Sequence, residues 1–271
     1  MIEIVGTGPL VTVQDLGRGG HAALGVPRSG AFDRAALRLA NRLVGNEEGA
    51  AALEVLLGGL AFTVHDAATV ALTGAVCGGA DHGVALTVPA GTTVRLGVPA
   101  RGLRTYLAVR GGFAVTAVLG SCSTDTLSGL GPAPVVAGSR LGVGAARGAV
   151  SGETAALDTR PRAALVDPGP RADWLAGDAL ALLAARRWTV RGDSDRVGVR
   201  LEGPPFTRTR TDELPSEPTL PGAIQVPADG RPIVFGPDAP VTGGYPVIGV
   251  VRDLDALAQL RPGDPIRFAR T

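Results

Sequence analysis

Three stretches of this chain carry more glycine and polar side chains than a plain scaffold needs. The richest runs from Pro221 to Val251 and holds Gln225, Asp229-Gly230, Asp238 and Thr242-Gly243-Gly244-Tyr245. A Thr-Gly-Gly loop exposes backbone amides with no side chain in the way, which suits a carboxylate or a developing oxyanion. Gln225 falls in a short strand, Asp229-Gly230 is a turn signal, and Asp238 and Thr242 bracket a second turn. A hairpin with a bulge accounts for the same residues without chemistry.

The second stretch is Tyr106 to Phe113, continuing from Leu119 to Asp125. Hydroxyls and amides around Ser121-Cys122-Ser123 can form an anion-binding nest, and Arg110 is a fork for carboxylate or phosphate. Cys122 has no histidine near it in sequence to act as a base, which argues against covalent catalysis. In the third stretch, Thr12 to Asp33, the side chains of Asp15, Arg18, Arg28 and Ser29 could orient a small polar substrate. A strand, a turn and a helix cap explain those residues better.

The elements that must position these loops are mostly strands. The chain's 40 glycines and 21 prolines separate short runs rich in Val, Leu, Ile and Thr. These are Ala68–Thr73, Val84–Val88, Thr92–Leu96, Thr105–Val109, Ala223–Val226 and Pro232–Phe235, a texture of short strands and tight turns. Leu86 to Leu96 reads as a hairpin. Ser29 or Asp33 can cap a helix running to about Val44, with Ala36, Leu37, Ala40, Leu43 and Val44 on one face and Arg34, Arg38, Asn41 and Arg42 on the other. Further helices are expected over Ala179–Arg187, with its arginines at the favourable C-terminal end, and from Asp253 through Leu260. A last strand is expected over Pro265–Phe268. The fold class is mostly β, a β-rich α+β chain. Residues 148–162 lack hydrophobic periodicity, so the division expected is 1–147, a linker 148–162, and 163–271.

Bulk properties exclude several functions. The formal net charge is +1 with no run of like charges, which gives no footprint for nucleic acid or an anionic membrane. The N-terminal residues lack a signal-peptide pattern and Ala67–Ala80 is too short to cross a bilayer, so a cytoplasmic location is expected. Cysteines number 2 and histidines 3, without metal-ligand spacing. All 26 basic residues are arginine. Without lysine there is no side-chain Schiff base, no P-loop and no attachment point for biotin.

Over nearly its full length the chain resembles a known family. The matching segments are Val13-Gln14-Asp15-Leu16-Gly17-Arg18, Gly25-Val26-Pro27, Ser29-Gly30-Ala31 with Asp33, Leu37–Asn41, Ala52–Val55, Leu72–Ala75 and Tyr106–Phe113. They continue through Asp195-Arg196-Val197-Gly198, Leu201–Pro204 and Gly222–Gly249. The family is called allophanate hydrolase subunit 2 or the biotin-dependent carboxyltransferase A/B region. It includes the C subunit of bacterial 5-oxoprolinase, an antagonist of a sporulation-kinase inhibitor, and part of urea carboxylase.

The resemblance implies two cyclophilin-like β-barrel subdomains with a few short helices. It also implies companions like the B and A subunits of 5-oxoprolinase, and ATP-driven opening of the 5-oxo-L-proline lactam to L-glutamate. ATP is then expected on a partner protein or shared with one, since this chain has no P-loop. Such a site needs anion-binding loops, an arginine and a carboxylate. Arg110, Asp229 and Asp238 are the catalytic candidates; Asp15, Ser29, Ser123, Gln225, Thr242, Gly243, Gly244 and Tyr245 are the substrate-binding ones. Cys122, Val241 and Pro218 depart from the family pattern in these loops. The alternatives are a carboxyltransferase component of a biotin-dependent urea or amide carboxylase, and a non-catalytic antagonist of a kinase inhibitor. A prolyl isomerase would rest on fold analogy alone.

Overall fold

The computed structural model describes residues 1–157, 163–210 and 212–271. They form two compact units. The first comprises Met1–Arg18, Asp33–Asp125 and Gly129–Arg160; the second comprises Gly19–Phe32, Thr126–Ser128 and Pro161–Thr271. Residues 158–162 of the expected linker lie outside the described residues. Its earlier part is tied to the first unit, where the Ser151 amide donates to the Leu43 carbonyl at 3.0 Å and the Ala155 amide to Gly83 at 2.7 Å.

The first unit contains two antiparallel five-stranded sheets. One runs in the order Thr93–Arg95, Ala61–Val64, Ile2–Gly6, Arg140–Val143, Phe113–Ala114. The other runs Leu10–Gln14, Ala52–Leu56, Arg104–Val109, Ala68–Gly74, Ala85–Val88. Alternation sets the layers. Leu53, Val55, Leu72, Leu107 and Val109 meet Ile2, Ile4, Phe62 and Val64 in one core. The intervening residues of the second sheet lie on its other face, which the helix Arg34–Leu43 covers; Thr73 Oγ1 donates to the Ala36 carbonyl there at 2.7 Å. Asp33 is the helix cap, accepting from the Ala36 amide at 2.8 Å.

Asn41 corrects the expected helix faces. It is fully buried, because its amide Nδ2 donates to the Ala50 carbonyl at 2.8 Å and braces the following loop. The expected hairpin over Leu86–Leu96 is also corrected. Ala85–Val88 pairs with Ala68–Ala71 in one sheet, whereas Thr93–Arg95 pairs with Ala61–Thr63 in the other. The turn, closed by the Thr92 amide on the Pro89 carbonyl at 3.2 Å, arches across the core instead of folding back within a sheet.

The second unit is built on one eight-stranded sheet. Its order is Pro265–Ile266, Trp188–Val190, Gly198–Glu202, Ile233–Phe235, Ala223–Gln225, Val247–Val251, Ala164–Pro168, Phe268–Arg270. The two outermost strands are consecutive in the chain, so the sheet curls into a nearly closed barrel. The expected single strand Pro265–Phe268 is thereby split at Arg267. Ile266 pairs antiparallel with Trp188 on one side, and Phe268 pairs parallel with Ala164 on the other. Inside lie Phe32, Val166, Trp188, Leu201, Ile224, Val234 and Ile248.

The helix Ala179–Ala185 is capped by Asp178 and ends two residues earlier than expected, since Arg186 is already extended with ψ 157°. Arg186 instead donates to the Pro204 carbonyl at 3.1 Å and lies over the Phe206 ring. The third helix is one turn, Asp255–Ala258.

Candidate functional site

The expected anion nest at Ser121–Ser123 exists, and its anion is the chain's own Asp15. The Asp15 carboxylate accepts from the Cys122 amide at 2.6 Å, Ser121 Oγ at 2.6 Å, Ser123 Oγ at 2.5 Å and the Gly17 amide at 2.7 Å. Arg18, only 2% exposed, donates to the carbonyls of Val118 and Ser123 from the same side. Together they clamp the turn Val118–Ser121, in which Leu119 sits in the left-handed region at φ 51°. Burial pushes the Cys122 thiol up, the Asp15 charge adds to this, and Arg18 opposes it. That thiol is a poor nucleophile.

A second carboxylate is the hub of the other unit. Asp238, with 0% exposure, receives Arg196 Nε and Nη2 at 2.9 Å each. It also accepts from Ser29 Oγ at 2.7 Å and from the amide and hydroxyl of Thr126 at 2.9 and 2.7 Å. Burial alone would raise its carboxyl, but the guanidinium and the other donors outweigh that and hold it below the usual range. Ser29 reaches the carboxylate from a left-handed backbone at φ 54°, and Arg196 Nη2 also donates to the Gly30 carbonyl at 2.7 Å. Ser29 therefore holds this ion pair instead of capping a helix.

The Thr242–Tyr245 loop is the exposed member of the set. Thr242–Gly243 pairs with Glu217–Pro218 in a two-stranded ribbon, and Glu217 forms a bidentate ion pair with Arg171. Gln225 is buried beneath the loop and donates from Nε2 to the Tyr245 carbonyl at 3.1 Å. A Cβ on Gly243 would stand 2.6 Å from that Nε2, so any side chain there would displace Gln225. Thr242, Gly244 and Tyr245 face solvent.

Asp229 lies on a separate exposed turn. It accepts from the Arg231 amide at 3.0 Å and lines a cavity of about 140 Å³ with Arg191, Arg200 and Arg231. Arg110 donates from Nη2 to the Gly148 carbonyl at 2.9 Å, and its buried Nε meets no acceptor. The structure thus brings Ser29 to Asp238, Asp15 to Ser123, and Gln225 to Gly243 and Tyr245. Sequence reasoning missed Arg196 and Thr126 as partners of Asp238, and Arg171 and Glu217 as braces of the exposed loop. Only Arg196 had a signal, in the Asp195–Gly198 motif.

Comparison with known proteins places this arrangement. The family described as carboxyltransferase domain, subdomain A and B, matches residues 24–270. The chain belongs to that family. It is 39% identical over 285 residues to the C subunit of 5-oxoprolinase from Escherichia coli (strain K12), covering 100% of this chain and 91% of that protein. The protein of the same name from Haemophilus influenzae is 34% identical, with 99% and 90% covered. Among solved structures, TTHA0988 superposes with a TM-score of 0.88 at 38% identity, over 99% of this chain and 55% of that one. The K. lactis urea amidolyase gives 0.91 at 29% identity, over 99% of this chain and 18% of that one. The chain thus spans about half of TTHA0988 and a minor part of the amidolyase. The β-rich fold with barrel subdomains is shared with these solved structures. No helix among the described residues is long and apolar enough to cross a membrane.

Proposed function

We propose that the chain is the C subunit of an ATP-dependent 5-oxoprolinase, opening 5-oxo-L-proline to L-glutamate together with partners like the B and A subunits of that enzyme. The observation that carries this reading is the end-to-end match to two proteins named as the C subunit of 5-oxoprolinase, covering 91% and 90% of their lengths. The two halves on either side of 148–162 are read as the family's A and B subdomains, and the location as cytoplasmic.

A lactam carbonyl is a weak electrophile, and phosphoryl transfer from ATP to its oxygen would strengthen it. The chain has no lysine for a P-loop. We therefore assign the nucleotide to a partner protein. On this chain the exposed Thr242 hydroxyl and the Gly243-Gly244 backbone, with Tyr245 beside them and Gln225 beneath, are the surface we assign to the substrate's carboxylate or oxyanion. Arg110 and Asp229 remain candidates for charge stabilisation and proton transfer. Asp238, Ser29, Asp15 and Ser123 are assigned to positioning, because both carboxylates already accept four or more hydrogen bonds from the chain itself.

The test is glutamate release from 5-oxoproline and ATP by the reconstituted complex, with each component omitted in turn. Turnover that survives omission of this chain would refute the assignment. A second reading, a carboxyltransferase acting with a biotin carrier on urea or a similar amide, is favoured by the superposition on urea amidolyase. It predicts carboxylation that requires a biotinylated partner, since this chain has no lysine to carry the cofactor. A stable complex with neither activity would favour the antagonist role.

A further inference from the structure

The first unit contains a cavity of about 280 Å³ lined by Gly45, Asn46, Glu47, Gly111, Gly144 and Arg147, among others. We propose that it binds a small zwitterion of the α-amino-acid class, with the ligand's carboxylate on Arg147 and its ammonium on Glu47.

The walls are built by backbone packed too closely for side chains. A Cβ on Gly45 would lie 2.3 Å from the Ala149 carbonyl oxygen, and one on Gly111 would lie 2.1 Å from that of Gly144. The polar groups of these walls are largely spent on holding them together. The Gly111 amide donates to Asn46 Oδ1 at 2.8 Å, and Asn46 Nδ2 donates to the Val109 carbonyl at 2.8 Å. The Gly144 amide donates to the Gly112 carbonyl at 3.0 Å and the Gly148 amide to Gly45 at 3.1 Å.

Charge recognition is thus left to two lining side chains of opposite sign. Glu47 and Arg147 are 3.6 Å apart and each 83% exposed. An exposed pair of this kind contributes little, so opening it to admit a ligand costs little. A lone anion would meet Arg147 but be repelled by Glu47, and a lone cation the reverse. A molecule whose two charges sit one carbon apart satisfies both. The volume lies just below the range typical of drug-sized ligands, which suits an amino acid.

This inference stands apart from the oxoprolinase reading, because its test measures binding and not turnover. The amide spectrum of the full-length chain is titrated by NMR with glycine and with L-glutamate, using acetate and methylamine as single-charge controls. The expected result is shifts centred on Asn46, Gly111 and Gly144 with either amino acid, and weaker ones with either control. E47Q and R147Q should each weaken binding by about two- to fivefold. Acetate or methylamine matching glycine, variants binding like the wild type, or an absence of shifts at millimolar amino acid would each overturn it.

Discussion

Arg196 and Asp238 form a bidentate ion pair with side-chain exposures of 3% and 0%. A buried pair of this kind adds little net stability over an apolar substitute, but breaking one half strands the other charge. The same carboxylate also holds Ser29 and Thr126, which lie 209 and 112 residues away in sequence. It works as a fastener between remote parts of the chain.

D238A should therefore lower the unfolding free energy by about 3–5 kcal/mol, and R196A by a similar amount. Urea denaturation followed by circular dichroism measures this. Wild-type stability in both variants would contradict the fastener role.

Asp15 makes the matching prediction for the first unit. Replacing it with asparagine removes the negative charge that helps to keep the Cys122 thiol protonated, and loosens the amide it receives. D15N should alkylate with iodoacetamide at neutral pH several-fold faster than wild type, on the order of the thiolate gain from a fraction of a pKa unit. Cys77 is 1% exposed and serves as the unreactive internal reference.

His82 sets a pH dependence. Its Nε2 accepts from the Cys77 amide at 3.2 Å, an arrangement only the neutral ring can make. Burial lowers its pKa below the ordinary 6.5, against a smaller opposing effect of Asp81. The unfolded chain then takes up the proton first as pH falls. The stability difference between wild type and H82Q should be constant above about pH 7, shrink as pH falls below about 6.5, and level off once the folded ring also protonates. Unfolding midpoints across that range check the sign; a difference that grows on acidification would reverse it.

At the exposed loop, T242A should leave the melting temperature unchanged while lowering glutamate release by the reconstituted complex about a hundredfold or more, the loss typical of removing one oxyanion donor. G243A drives a Cβ to 2.6 Å from Gln225 Nε2 and should lower activity through displacement of that side chain. Q225A should relieve the clash, so the double variant should be less impaired than G243A predicts from additivity.

Local features are legible where the physics is local. Asp33 caps its helix, and the strands at Arg104–Val109 and Ala223–Gln225 match their apolar runs within a residue or two. Pro89-Ala90-Gly91 reads as a hairpin because a turn's chemistry is the same whether its arms share a sheet or bridge two. Asp238, in a Gly-Pro-Asp turn, has the composition of an exposed residue. Its burial depends on Arg196, 42 residues away, whose own motif gives no sign of that pairing. The Ser121–Ser123 nest is visible in the sequence, but the identity of its occupant depends on which distant carboxylate the fold delivers.

The last strand, Phe268–Arg270, pairs with Ala164–Val166 across more than a hundred residues. Translation delivers that closing strand after every other piece of its barrel. Until residues 265–270 arrive, the half-made sheet presents two raw edges at Ala164–Pro168 and Trp188–Val190, open to mispairing on the ribosome. Loss of Phe268–Arg270 would open the barrel at Ala164–Pro168, turning a ring into a ribbon.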